Sequence, residues 1–249
     1  MRHKHLLITV AISLILLGYS SVAATGPETG KFYLFLKGQH FGQESYVIKD
    51  EPSGKRTTLS ETEMVMLDGD VQNRLAFSSR LVMDRQTYAP TYYEYQFKGG
   101  RNDGYEVTID GKQITRKLVT GGTVTNKTTT AEQEILILDY NVYHHYQLLL
   151  DRYNPKIKGK QVFSDYLPVV GDEFEVGVTL NGEVPLVINQ KTIPTVNYTI
   201  DFPMSYGADL WATKDGRVVK IRLKQNAIEA IRAEYVTEIK PDKLASVEK

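Results

Sequence analysis

From Val71 to Met83 the chain alternates: Val71, Asn73, Leu75, Phe77, Ser79, Leu81 and Met83 fill the odd positions, and Gln72, Arg74, Ser78 and Arg80 most of the even ones. Successive side chains on a strand point to opposite faces, so a period of two marks a strand with one buried face. The pattern returns at Tyr105-Val107-Ile109, Phe174-Val176-Val178-Leu180, Val196-Tyr198-Ile200-Phe202 and Arg217-Val219-Ile221-Leu223. The 16 tyrosines and many threonines suit such half-buried pleats.

Residue pairs that tolerate positive φ separate the runs: Asp68-Gly69, Gly99-Gly100, Asp110-Gly111, Gly121-Gly122, Asn181-Gly182 and Asp215-Gly216. Two-residue hairpins demand such pairs. The strands are therefore expected to be joined by tight antiparallel connections rather than helical crossovers. The predicted fold is all-β and mainly antiparallel, a curved sheet forming a half-barrel or barrel-like sandwich with one short amphipathic helix packed on or in it.

That helix is predicted after Asn141, a candidate N-cap, with Val142, Tyr146, Leu149, Leu150 and Tyr153 on one face over about three turns. Pro155 prevents its continuation. The run Asn226–Tyr235 reads as either a helix or a last strand after the Asp215-Gly216 hairpin, with strand favoured. Phe32–Leu36 and Ile135–Leu138 are apolar at every position and so predict burial from two sides, either as strands covered by the helix or as the lining of an apolar cavity beneath it.

The N-terminus carries Arg2, His3, Lys4 and His5, then the apolar run Leu6–Leu17, then Val22-Ala23-Ala24. A basic start, about 12 apolar residues and small residues before a cut describe a secretory signal peptide over 1–24. The run is too short to span a membrane, which needs about 20. The expected organisation is thus a leader, a single β-rich domain over 25–249 and a polar tail from about 240, placed in the periplasm or secreted. The chain has no cysteine, so it has neither disulfides nor a lipid-modified N-terminus. Loss of Arg2 and Lys4 leaves 28 basic against 30 acidic residues, a net charge of −2, which gives no electrostatic case for nucleic acid.

Chemistry-bearing motifs are sparse. After leader removal the histidines are His40, His144 and His145. Adjacent helical residues diverge by about 100°, so His144 and His145 chelate one ion poorly without Asp139, Asp151 or His40. Met204-Ser205-Tyr206-Gly207 lacks the first glycine of a hydrolase elbow. Glu61 with Glu63 and Glu173 with Glu175 share strand faces, as solvated pairs do. No motif implies a cofactor or a metal.

Three segments resemble uncharacterised exported bacterial β-proteins: Gly38–Tyr46 their opening hairpin, Asn141–Leu150 their helical segment and Leu210–Lys220 their closing hairpin. In general plan, strands around one helix, the chain is also similar to the lipoprotein-carrier (LolA-like) half-barrels. These resemblances imply a cell-envelope protein.

Three functions follow as expectations. The first is an exported carrier for a lipid or other apolar ligand, with Tyr146, Leu149 and Tyr153 on one wall of its pocket and Phe77, Leu81, Tyr93 and Tyr95 on the other. Tyr143, His144 and His145 would stand at the mouth. The second is a structural or assembly partner of another envelope protein, pairing through the low-charge, Thr-rich strand Thr123–Thr130. The third is an enzyme using His144 or His145 with Asp139.

Overall fold

The computed structural model describes residues 26–237 and 239, apart from 69–70, 99–102, 140 and 204–205. The expected leader, Gly69, Gly99-Gly100, Tyr140, Met204-Ser205 and the tail lie outside the described residues.

The first half of the chain is a meander of long strands: β1 (Glu28–Leu36), β2 (Gln39–Asp50), β3 (Lys55–Asp68), β4 (Val71–Asp84), β5 (Pro90–Lys98), β6 (Gly104–Asp110), β7 (Gln113–Thr120) and β8 (Thr123–Thr130). A two-residue strand β9 (Ile135–Leu136) and the helix α1 (His145–Arg152) follow. The second half holds β10 (Lys160–Leu167), β11 (Asp172–Glu183), β12 (Leu186–Ile188), β13 (Lys191–Ile193), β14 (Val196–Asp201), β15 (Gly207–Ala212), β16 (Val218–Leu223) and β17 (Ile228–Arg232). Fifteen of these form one sheet in the order β8-β7-β6-β5-β4-β3-β2-β1-β17-β16-β15-β14-β11-β10-β9, and β12 with β13 makes a separate hairpin. Pairing is antiparallel throughout, except that β9 lies parallel to β10. The first and last strands meet in the middle, with Phe32 opposite Arg232 and Leu36 opposite Ile228.

The sheet wraps around α1. Eight residues make a helix too short to hold in water alone; His145 to Leu150 are all buried, and only its last turn, at Asp151 and Arg152, reaches solvent. Its surroundings come from both halves of the sheet. Glu44 of β2 and Thr58 of β3 bond His144, Tyr93 of β5 packs on His145, Tyr198 of β14 packs on Tyr153, and Val218 of β16 donates its N–H to Gln147. The result is a barrel-like sheet with the helix as its plug, as the period-two pattern and single helix predicted.

Several expectations are corrected in detail. The helix has about two turns rather than three, and Asn141 is not its N-cap. Asn141 takes φ of 64°, and the cap position falls to His144, whose side chain makes no cap bond. Asn181-Gly182 is not a turn but a bulge inside β11, where the register against β14 shifts between Leu180 and Gly182. On β4, Asn73 and Leu75 are exposed, and among residues 72–84 burial begins at Phe77. The run 226–235 resolves as strand β17 followed by one 3-10 turn, Ala233–Tyr235.

Two-sided burial of β1 comes from an unexpected source. Phe32 and Leu34 face the interior and are fully buried. The opposite face, with Phe35, is packed against Ile188, Val219 and Ile231, with Leu186 and Ile193 of the β12–β13 hairpin alongside. A small outer core, rather than the helix, covers that side.

Candidate functional site

The interior around α1 is polar as well as aromatic. Glu44 is fully buried because it stands at an inward position on β2, in the row Gly42, Glu44, Tyr46 and Ile48. Its Oε1 lies 2.9 Å from His144 Nδ1, and its Oε2 accepts the His144 backbone N–H at 3.0 Å. His144 Nε2 sits 3.0 Å from the Thr58 hydroxyl. The His144 ring stacks on Tyr46 at 5.3 Å and meets His145 edge-on at 4.7 Å.

His145 belongs to a second cluster. Its Nδ1 accepts the Asp139 backbone N–H at 3.2 Å, so in the neutral ring the proton resides on Nε2. Burial, and then the adjacent His144, hold its pKa well below the ordinary imidazole value. The Asp139 carboxylate accepts the hydroxyls of Tyr93 and of Tyr105, the latter at 2.5 Å. Burial, and then the Asp139 charge, raise the pKa of both tyrosines far above the ordinary phenol range. Asp165 of β10 accepts the Leu138 N–H at 2.8 Å. Its pKa is raised well above the usual carboxylate range, chiefly by burial, against that hydrogen bond and with help from Asp139.

Arg232 is fully buried with its guanidinium over the rings of Phe32 (5.3 Å) and Tyr46 (5.8 Å). Its Nε donates to the Val218 carbonyl at 2.7 Å. Burial lifts the Tyr46 hydroxyl to about 12 despite this cation. Tyr46 thus contacts both the Arg232 cation and the His144 ring.

Of the residues expected to line a pocket, Leu81 and Tyr93 stand against the helix, which occupies the space beside them, whereas Tyr95 lies by a separate hollow beside Gly104. His145 and Leu149 face Leu81, whereas Tyr146 and Tyr153 turn to the other half of the sheet and pack on Phe202 and Tyr198. Tyr143 is buried as well, and Phe77 stacks on Tyr95 at 4.9 Å. The cavity between helix and β4 measures about 20 Å³, room for about one water. A wider hollow of about 180 Å³ opens beside Gly104. It lies along the cross-strand rows Gln96–Gly104–Val119 and Glu94–Glu106–Lys117. His40 stands apart from the histidine pair, edge-on to Tyr33 and Phe35. Among the described residues no group of three His, Asp or Glu side chains could hold a metal ion.

Glu44, Thr58, Tyr105, Asp165 and Arg232 were not expected at the site. The signal available for Glu44 was a charge at an inward register position; Arg116, between Ile114 and Leu118 on β7, carries the same signal.

Arg116 closes the barrel. The sheet's two end strands, β8 and β9, do not pair. Instead Arg116 Nη1 donates to the carbonyls of Pro168 (2.9 Å) and Val169 (3.1 Å) in the β10–β11 turn. Lys127 of β8 reaches the Gly171 carbonyl at 2.8 Å. Gly171 holds φ of 77°, which favours glycine, and a Cβ there would lie 2.6 Å from the Arg116 guanidinium carbon, so a side chain would push that cation aside.

This closure by side chains leaves β8 as a sheet edge. Seven of its eight residues are exposed and the eighth is half-buried. Among the described residues no backbone hydrogen bond reaches it from any strand but β7.

No protein-family model matches the chain, and no curated protein matches it. Among solved structures it is similar to a β-barrel-like protein of a domain of unknown function, DUF1849, from Brucella abortus. The TM-score is 0.56 at 9% identity, over 83% of this chain and 95% of that one. At that identity the likeness concerns the fold alone, which is barrel-like in both.

Proposed function

We propose that the chain is a binding protein of the cell envelope that recruits a protein partner by strand addition to the β8 edge. The observation that carries this reading is the contrast between a filled interior and an open edge. The cavity between α1 and β4 holds about 20 Å³, whereas pockets that enclose small molecules run to about 300–1,000 Å³. The histidines suited to chemistry are 0–1% exposed; His144 spends its hydrogen bonds fastening the helix to Glu44 and Thr58 of the wall, and His145 accepts the Asp139 N–H just ahead of the helix. The β8 edge, by contrast, is eight residues long and offers unpaired main-chain groups, the usual template for an added strand. Envelope location rests on the basic-apolar-small pattern of residues 1–24.

In-cell photocrosslinking tests this reading. A benzophenone side chain at Asn126 is expected to give a discrete higher-mass adduct. The same group at Thr108, exposed on β6, is expected to give none. Equal labelling at both positions, or none at Asn126, contradicts it.

A second reading, carriage of an apolar ligand, is favoured by one feature: Leu75 and Phe97 remain exposed past the core of the β3–β6 wall. A greasy ligand would bind across that rim, not beneath the helix. Native mass spectrometry of detergent-free protein, before and after solvent extraction, tests it. A reproducible extractable mass supports this reading; a bare chain mass removes it.

A further inference from the structure

We infer that the partner of the β8 edge is a second copy of this chain, joined across a two-fold axis at Asn126. The inference rests on the edge-binding reading above and specifies its occupant.

The turn geometry fixes which groups are free. Gly121 and Gly122 have φ of 57° and 80°, both positive as in a two-residue type I′ hairpin, and Thr120 pairs with Thr123 across it. The closing pair of such a hairpin is hydrogen-bonded, and bonded positions recur every second residue. Thr123, Thr125, Lys127 and Thr129 therefore bond to β7, while Val124, Asn126, Thr128 and Thr130 turn their N–H and C=O groups outward.

Symmetry and charge then select the register. When two β8 edges pair antiparallel about a two-fold axis normal to the sheet, opposed residues must share a face, so their numbers differ by an even count. Two registers overlap seven of the eight residues: one with Asn126 on the axis and one with Lys127. The second sets two ammonium groups directly opposite each other, which is destabilising. The first sets Asn126 against Asn126, Lys127 against Thr125 and Val124 against Thr128, with no opposed charges. It forms about six main-chain hydrogen bonds, two at each outward pair.

Charge also argues for a like partner. Lys127 is the one charged residue of the strand, and its ammonium is engaged by the Gly171 carbonyl. Nothing on the strand calls for an acidic peptide. A neutral, threonine-rich strand matches it best, because threonines pair well across strands, and the chain itself supplies one. Proline, a bulge or several charges would guard an edge against self-pairing. β8 has no proline, and its register against β7 is unbroken.

The absence of native cysteine makes the test clean. The full chain, recovered after export, is expected to sediment as a reversible dimer. Asn126→Cys crosslinks two copies under mild oxidation or with a short bismaleimide, whereas Lys127→Cys, which faces Thr125, crosslinks several-fold less. Asn126→Lys, at an exposed position that leaves the fold intact, weakens dimerisation several-fold by placing like charges on the axis. Strongest crosslinking at Lys127→Cys overturns the register. A monomer at every concentration without an Asn126→Cys crosslink overturns self-pairing. If, in that case, the in-cell adduct at Asn126 carries the mass of a different protein, the edge-binding reading stands and only its occupant changes.

Discussion

Glu44 on β2 holds His144 twice, by its ring Nδ1 at 2.9 Å and by its backbone N–H at 3.0 Å, one hundred residues away along the chain. A single buried carboxylate thus supplies the start of α1 with the acceptor that a local cap residue would normally provide. The helix is anchored to the wall it plugs as well as to its own preceding turn.

Glu44→Ala should therefore be among the most damaging substitutions in the protein. It leaves the His144 backbone N–H and ring nitrogen buried without their partner, at about 1–3 kcal/mol for each group left unsatisfied. Glu44→Gln, which retains an acceptor for the backbone N–H, should cost less. Urea denaturation of the two variants checks the order; an alanine variant within 1 kcal/mol or so of the parent contradicts the anchoring role.

The pH dependence of stability has two opposed contributions. His145 has a folded pKa depressed below the ordinary 6.5, so below that pH the unfolded chain binds a proton that the folded chain refuses. Stability then falls as pH falls from 6.5 toward the folded pKa, by up to about 1.4 kcal/mol per pH unit. His145→Gln should flatten that limb in urea titrations between neutral and mildly acid pH.

Asp165 acts with the opposite sign. Its folded pKa is raised above the ordinary 3.8, so above that pH the folded state holds a proton that the unfolded chain has lost. Its contribution therefore falls as pH rises from 3.8 to the folded pKa. Asp165→Asn keeps the acceptor for the Leu138 N–H and removes the titration. It should raise the urea midpoint at neutral pH and leave it nearly unchanged below the ordinary carboxylate pKa; a lowered midpoint at neutral pH would show that the carboxylate is stabilising.

Closure of the barrel depends on Arg116. Arg116→Ala strips the carbonyls of Pro168 and Val169 of their shared donor at a cost of about 1–3 kcal/mol. Because the break falls at the seam, amide exchange should accelerate in β7, β8 and the 168–171 turn, while β1 and β17 keep their protection. Uniform acceleration across the sheet would mean that the seam is not a separate weak point.

Much of this architecture is legible in the sequence, because its causes are local. Alternation and paired turn residues identify strands such as 105–109 and 196–200, and the i, i+4, i+7 spacing finds the only α-helix among the described residues. The errors arise where tertiary structure decides. Asn181-Gly182 has turn chemistry, but β14 pairs on both sides of it and turns it into a bulge. Asn141 has cap chemistry, but Glu44 does the capping from β2. Polar residues of the interior, including Glu44, Asp165 and Arg232, are ordinary charges until the sheet curls round them. The polarity of Thr123–Thr130 was readable as an edge, and the strand order places it there.

Residue-resolved hydrogen exchange along β8 tests the open edge most directly. In dilute protein the amides of Thr125 and Lys127 should be protected by β7, while those of Val124, Asn126 and Thr128 exchange at nearly unprotected rates. When the partner is bound, here by raising the protein concentration, the second set should become protected and the first remain so. Uniform protection of β8 in the dilute protein, or fast exchange of its outward amides in the assembled state, would contradict strand addition at this edge.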